Sequence, residues 1–405
     1  MTLSHENRWL SRYAAFTAVA TLVLICAGGL VTSHGVGMSV PDWPNTYGYN
    51  MFFFPISKWV GGIFYEHTHR LVASAVGLLT TILALWLWGK KSRPLLRWAG
   101  VVVFVLAFAP RLKTDTALFL GGVGVVAVAV SFVWPRNEPC SRKLRWLGLI
   151  AFVGVVLQGV LGGLRVRWNL DRLGIPHATL AQLFFVLVGL IALMTSERWQ
   201  KLSQLSIYGH KSLRYLFLFT TVTILFQLIL GATMRHQHAG LAIPDFPTAY
   251  GKLWPALDAA SVASYNQNRL EVVAYNPITA LQIGLQMAHR LTALGIFFLV
   301  SVCVWRSRQW LGRNHALTKL SFGWLGLIVA QIVLGAATIL TNKSADMATA
   351  HVAVGALLLM TGALMTLVAF RSSVTAKAAF PAQATDSSEF QPITRGRSPR
   401  EVPCS

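Results

Sequence analysis

Charge is scarce in this sequence, and acidic charge is scarcer still. Of 405 residues, 12% are charged, with 14 acids against 35 bases. A soluble domain carries roughly twice that share of charge. The shortage argues against a chain that meets water over its whole surface. Cysteine is sparse as well. Cys26, Cys140, Cys303 and Cys404 lie far apart, with no CxxC or paired loop spacing, so neither a zinc site nor a disulfide framework is signalled. No Arg/Ser-rich transit segment and no cleavage site precede the first apolar run, which favours a bacterial plasma membrane over an organelle.

Apolar residues fill the space that charge leaves, at 54% of the chain. Stretches near the ~20 residues needed to cross a bilayer recur along its length. The net charge of +21 could suggest nucleic acid, but the bases cluster in short loops between apolar runs. That is the positive-inside pattern of a multi-pass protein, so the expected surroundings are lipid and no nucleic acid. The expected fold is all-α: two related four-helix transmembrane bundles plus an inserted helical hairpin.

The expected division is a first part of the N-terminal bundle over 1–94 and an inserted apolar hairpin over 95–134. A second part of that bundle follows over 135–196, then a basic connector over 197–213. A C-terminal bundle covers 214–370, and a polar tail over 371–405 reads as disordered. In the hairpin, the stretch 95–109 is short for a crossing. About ten spans put every Lys/Arg-dense loop and both termini on one side, the cytoplasmic one.

The two bundles announce themselves as repeats. Pro41-Asp42-Trp43-Pro44 and Tyr47-Gly48 recur in one register as Pro244-Asp245-Phe246-Pro247 and Tyr250-Gly251, behind Gly28-Gly29 and Gly231-Ala232. Gln158-Gly159-Val160-Leu161-Gly162 recurs as Gln331-Ile332-Val333-Leu334-Gly335, and Gln227 to Gly231 uses the phrase again. Glu66-His67-Thr68-His69-Arg70 is echoed by Gln286-Met287-Ala288-His289-Arg290, and His177 by His351. The hairpin has no counterpart.

Histidine inside a membrane span is costly and points to function. His69, His177, His289 and His351 sit in the outer portions of four spans, two to each half. In an up-down bundle, one imidazole from each of two facing helices is how haem iron is gripped from both sides. Small residues on the partner spans, Gly159, Gly162, Gly163, Gly335, Ala336 and Ala337, allow close backbone approach or leave a slot for a flat macrocycle. A zinc or copper site needs three or four converging ligands, and no two of these four histidines share a helix. His67 points to another face than His69 and aligns with Met287, so His69 is the expected ligand. His34, His236 and His238 lie in the outer loops, where a peripheral role is expected.

Glu66 stands one turn before His69, where the second half has an uncharged Gln286. Such a carboxylate suits acid–base work at a bound group; the alternative is an interfacial Glu paired with Arg70 or Arg165. Arg165, Arg167 and Arg235 could neutralise propionates turned to the aqueous face.

The Glu-x-x-His-Arg start, the Gln-x-x-Leu-Gly phrases, the Pro-Asp-Trp-Pro and Pro-Asp-Phe-Pro loops and the four histidines together resemble the haem A synthase family. The resemblance covers nearly the whole chain apart from the hairpin and tail. It implies an eight-span pseudo-twofold fold that oxidises the C8 methyl of haem O to a formyl group. It implies substrate haem at His69 and His177 with Glu66 essential, and cofactor haem b at His289 and His351 relaying electrons. Candidate propionate contacts are Arg70, Arg165, Arg235 and Arg290. Implied partners are haem O, haem O synthase as a candidate, an unidentified electron donor and a second copy of the chain. The sequence departs from the family in its extra hairpin. Its first outer loop also lacks the cysteine pair of one branch, so no loop disulfide is expected. Two other classes stand beside this reading. A di-haem b membrane cytochrome would only carry electrons to or from a quinone, and would need no Glu66. A transporter would show inverted repeats, whereas these run parallel.

Overall fold

Apolar sequence in lipid must satisfy its backbone polar groups internally, and helices do so within one segment. The computed structural model describes residues 8–110, 112–203, 211–268 and 277–379. In order these form α1 (Arg8–Ser33), α2 (Gly61–Trp88), α3 (Ser92–Leu106), α4 (Thr114–Val133), α5 (Arg142–Arg167) and α6 (Gly174–Met194). They continue with α7 (Glu197–Ser203), α8 (Lys211–His236), α9 (Ala259–Gln267), α10 (Ala280–Leu311), α11 (Ala316–Leu340) and α12 (Ala345–Ala379). No strand occurs among the described residues. Nine stretches there are long and apolar enough to cross a membrane. One of them, Gly61–Leu106, holds both α2 and α3, so about ten spans are present. The chain is a multi-pass membrane protein.

The repeated sequence folds into repeated architecture. In the first half α1, α2, α5 and α6 pack in a ring, each on its neighbours, and α8, α10, α11 and α12 close the same ring in the second. The halves meet where α1 and α6 lie against α12 and α6 also touches α8. Each bundle has an apolar core at the end where the basic loops lie, and in the second half a further buried cluster, with Ile243, Ile283 and Met287, lies under the loop at the other end. In the first, Leu10 and Ala14 of α1 meet Leu83 and Leu87 of α2 and Val188 and Ile191 of α6. In the second, Phe217 of α8 and Val300 of α10 pack around Trp324 of α11, whose indole N–H donates to the Leu358 carbonyl at 2.9 Å. The opposite, outer half of each bundle is where the histidines stand.

The inserted segment is a hairpin that runs the full depth of the bundle. At the basic end the Lys90 amide donates to Asn137 O at 2.9 Å. At the other end the Lys113 ammonium donates to Gly48 O at 2.5 Å, and Phe119 stacks on Phe52 of the first outer loop with centroids 4.8 Å apart. Glycine lets the two helices touch backbone to backbone. A Cβ on Gly124 would come within 2.6 Å of Phe104 N, and one on Gly100 within 2.8 Å of Gly124 O. The 15 residues of α3 rise only about 22 Å, and residues 107–110 complete the distance. The last helix runs on to Ala379, past the expected end of the bundle at 370. The rest of the expected tail, 380–405, and residues 204–210 of the connector lie outside the described residues.

Candidate functional site

The outer loops are built twice on one plan, and that plan places the sites. In the first loop Asp42 accepts from the Tyr47 and Gly48 amides, both at 2.7 Å. In the second, Asp245 accepts from Tyr250 at 2.7 Å and Gly251 at 2.9 Å. Tyr47 and Tyr250 send their hydroxyls to Ser39 O and Ala242 O. The turn needs left-handed backbone at both of its residues: φ is 49° and 76° at Tyr47 and Gly48, 53° and 73° at Tyr250 and Gly251. Glycine takes the second place without cost. Burial acts to raise the Asp245 carboxyl, but donation from Gly251, Thr248 and Tyr250 outweighs it and holds the group below the usual range.

Each loop is tied to a histidine helix by the residue pair that the sequence repeats. Arg70 donates to Asp42 O at 2.7 Å and Asn45 O at 3.1 Å; Arg290 donates to the matching Asp245 O at 2.7 Å and Thr248 O at 2.8 Å. Glu66 Oε2 accepts from Val40 N at 2.9 Å, and Gln286 Oε1 from the matching Ile243 N at 2.7 Å. Beyond that shared bond the two differ: Gln286 Nε2 donates to Gly240 O and Ile243 O, both at 3.3 Å, which a carboxylate cannot do. The other oxygen of Glu66 pairs with Arg70 at 2.7 Å, with both side chains nearly buried. Arg70 also donates to Val40 O, so it is a loop clamp with four protein partners and not a free contact for a propionate. Of the expected pairings for Glu66, the one with Arg70 is present. His67 belongs to the loop as well: fully buried, it meets Thr46 Oγ1 at 3.2 Å and packs on Phe54 and Trp59.

The four remaining histidines share one environment. Each rests its ring on a glycine of the neighbouring helix. A Cβ on Gly28 of α1 would lie 3.0 Å from His69 Cε1, and one on Gly162 of α5 3.3 Å from that of His177. The corresponding distances are 3.3 Å from Gly231 of α8 to His289 and 3.1 Å from Gly335 of α11 to His351. The glycines in the repeated phrases are therefore seats for imidazoles. In every case Nδ1 is buried with no hydrogen-bond partner, while the ring as a whole is only half-buried. His69 and His177 are close enough to repel one another if both were charged, and so are His289 and His351.

The glutamines of the same phrases hold three of the four. Gln158 Nε2 donates to His177 O at 3.0 Å and Gln227 Nε2 to His289 O at 2.8 Å, while Gln331 Nε2 lies 3.3 Å from His351 Nε2. The matching place in α1 is Leu24, so His69 has no such tie. This asymmetry was visible in the repeat once the phrase at Gly28 was aligned, and sequence reasoning missed it.

The rim of the first pair is polar and drawn from both halves. Arg165 lies within electrostatic range of His69 and His177, beside Gly37 of the loop, and donates to Asp171 at 2.6 Å. Asp171 also stands 3.3 Å from His236, which is buried against Gly174 at the head of α6. His236 is thus a rim residue, not a loose loop histidine. Arg235 crosses to α1, donating to Gly29 O at 2.7 Å and Ser33 Oγ at 2.6 Å. Arg165, Arg235 and Arg290 each keep a buried Nε without a partner. Trp43 closes the rim: its ring lies over Gly163, where a Cβ would come within 2.3 Å. Among the described residues, no three of His, Cys, Asp and Glu converge as a zinc site would require. Cys26, Cys140 and Cys303 are free thiols, and no cysteine lies in the first outer loop.

Fold and site define a multi-pass helical membrane protein with two glycine-seated histidines in each of two repeated bundles, roofed by matching loops. The chain belongs to the COX15-CtaA family of cytochrome oxidase assembly proteins, whose model matches residues 117–363. It is similar to the haem A synthase of Lysinibacillus sphaericus (strain C3-41), at 22% identity over 85% of this chain and 90% of that one. It is also similar to those of Geobacillus kaustophilus (strain HTA426), at 24% over 85% and 86%, and Bacillus cereus (strain 03BB102), at 23% over 92% and 97%.

Proposed function

We propose that this protein is a haem A synthase: a membrane oxidoreductase that converts the C8 methyl of haem O to a formyl group, for cytochrome oxidase. The observation that carries this reading is the doubled histidine pair, each ring seated on glycine with its Nδ1 buried and unpartnered. That donor set fits a flat group bound at iron from two sides, one in each bundle. The family and the named relatives support the same chemistry.

His69 and His177 hold the substrate haem, and His289 and His351 hold haem b. The glutamine ties support this division. Gln158 and Gln227 hold the backbones of His177 and His289 alike, and Gln331 meets the His351 ring at Nε2, whereas Leu24 leaves His69 with no such amide, as suits a group that must enter and leave. Bound haem b supplies one-electron redox chemistry. The chain's own residues bind, orient and exclude water: Arg165, Arg235 and Arg290 each offer a buried N–H to a propionate, and Trp43 covers the substrate pair. Glu66 is the acid–base group. Its loop anchor does not explain the carboxylate, because the amide of Gln286 makes the same anchor and Arg290 clamps its loop with no carboxylate from α10. The carboxylate is therefore free to be selected for a proton. Topologically, the loops rich in Lys and Arg face the cytoplasm of a bacterial cell, with both termini there.

Expression in a strain lacking its own enzyme, followed by pigment extraction, tests the function: haem A should appear with this chain and be absent without it. Haem b alone in the purified protein, with no haem A formed, would leave a di-haem electron carrier in its place.

A further inference from the structure

The inserted hairpin builds a basic cleft at its cytoplasmic end. The cleft, about 580 Å³, is lined by Lys90, Arg93, Pro94, Arg97, Phe132 and Arg136. Four cations face one space, and only Glu138, paired with Lys90 at 2.5 Å, offsets them. Such crowding of like charge is costly unless an anion joins it.

The arginines are not loose. Arg93 Nε donates to Ser131 O at 3.1 Å and its Nη2 to Phe132 O, at the C-terminal end of α4. Arg97, one turn further along α3, donates to Ser131 Oγ at 3.3 Å and lies 4.3 Å over the Phe132 ring. Setting the topology of a membrane protein requires positive charge but no fixed geometry. Fixed guanidinium forks, by contrast, suit the oxygens of a phosphate. Phe132 itself lines the cleft and is 58% exposed, and its chain neighbour Val133 is 80% exposed. Cations above an open apolar and aromatic wall match a molecule with an anionic head and hydrocarbon tails.

We propose that Arg93, Arg97, Arg136 and Lys90 form a phosphate-anion site on the inserted hairpin, occupied by the headgroup of an acidic phospholipid. The full-length protein, purified in neutral detergent, would be titrated separately with phosphatidylglycerol, phosphatidylcholine and inorganic phosphate, with binding read by native mass spectrometry. Phosphatidylglycerol should bind in preference to phosphatidylcholine, and its affinity should fall with added salt. Each surface cation contributes about fivefold, so the triple variant Arg93→Gln, Arg97→Gln, Arg136→Gln should bind it on the order of 100-fold more weakly. A control triple in another basic loop, Arg308→Gln, Arg313→Gln, Lys319→Gln, should bind as the wild type does. Equal binding of the two lipids, or insensitivity to salt, overturns the proposal on the wild-type protein alone. So does a control triple that loses as much as the cleft triple, or a cleft triple that loses nothing. Inorganic phosphate bound at the cleft without any preference among lipids would assign it to a soluble anion and overturn the lipid.

Discussion

Exchanging the carboxylate and the amide at equivalent positions separates holding a loop from moving a proton. Glu66→Gln keeps volume and keeps an oxygen to accept from Val40 N, as Gln286 accepts from Ile243 N. What it removes is the charged bond to Arg70. Stripping one partner from a buried ion pair costs about 3–5 kcal/mol when the other charge is left bare. Here Arg70 retains the carbonyls of Val40, Asp42 and Asn45, and Arg290 works with two. The loss is then nearer that of one charged hydrogen bond, about 2 kcal/mol, and both haems should be retained. Acid–base groups contribute about 10²–10⁴-fold to rate, so haem A formation should collapse while the pigments stay bound. The reverse exchange, Gln286→Glu, replaces a donor to Gly240 O and Ile243 O by an acceptor, so it should loosen the second loop but leave turnover largely intact. Haem A extracted from a strain lacking its own enzyme, with total haem per protein as reference, gives both numbers. Near-normal haem A from Glu66→Gln would refute the reasoning and reduce Glu66 to a loop anchor.

Other features give further expectations. His289→Ala and His351→Ala should each lose the low-spin visible spectrum of the second pair while the protein still inserts; an unchanged spectrum in both would remove the ligand assignment. A reporter fused after Lys113 should read the outer side, because that residue bonds Gly48 of the outer loop, and a cytoplasmic signal would mean the hairpin does not cross. Gly163→Ala should push Trp43 off the first site and impair activity, whereas Trp43→Phe in the same chain should restore much of it, since the second half pairs Phe246 with Ala336 at these positions. Independent, additive losses measured for the two changes would contradict the packing. The depressed Asp245 carboxyl stabilises its loop fully above the usual carboxylate range and ceases to do so as pH falls through its own lower value. Corrected for the slower intrinsic exchange at low pH, protection of the Tyr250 and Gly251 amides should therefore fall in acid, and in Asp245→Asn, which keeps one acceptor oxygen, it should be lower at neutral pH and insensitive to acid; identical acid profiles would sink this account.

Much of this was written in the sequence because it was written twice. A membrane span advertises itself by length and composition, and the repeats fixed which residues correspond before any coordinate was known. The four histidines and the preference for His69 over His67 follow from that correspondence and from which helix face each occupies. What the repeats could not convey was direction in space. Arg70 looks like a propionate partner from its place beside His69, yet its side chain turns up into the loop, where four acceptors meet it. His236 looks peripheral because its neighbours are loop residues, but the last turn of α8 carries it against Gly174. Contacts between halves have no signature in either half alone. The span at 95–109 was ambiguous for a simpler reason: α3 is short, and only its contacts at both ends show how far it reaches.

The crossing of Arg235 to α1 and the bridge from Asp171 to His236 make the two halves one machine. Duplication supplied two bundles, each able in principle to close its own ring of helices. The first bundle nevertheless finishes the wall of its site with side chains that belong to the second. A chain severed in the connector would have to reassemble before that site existed at all.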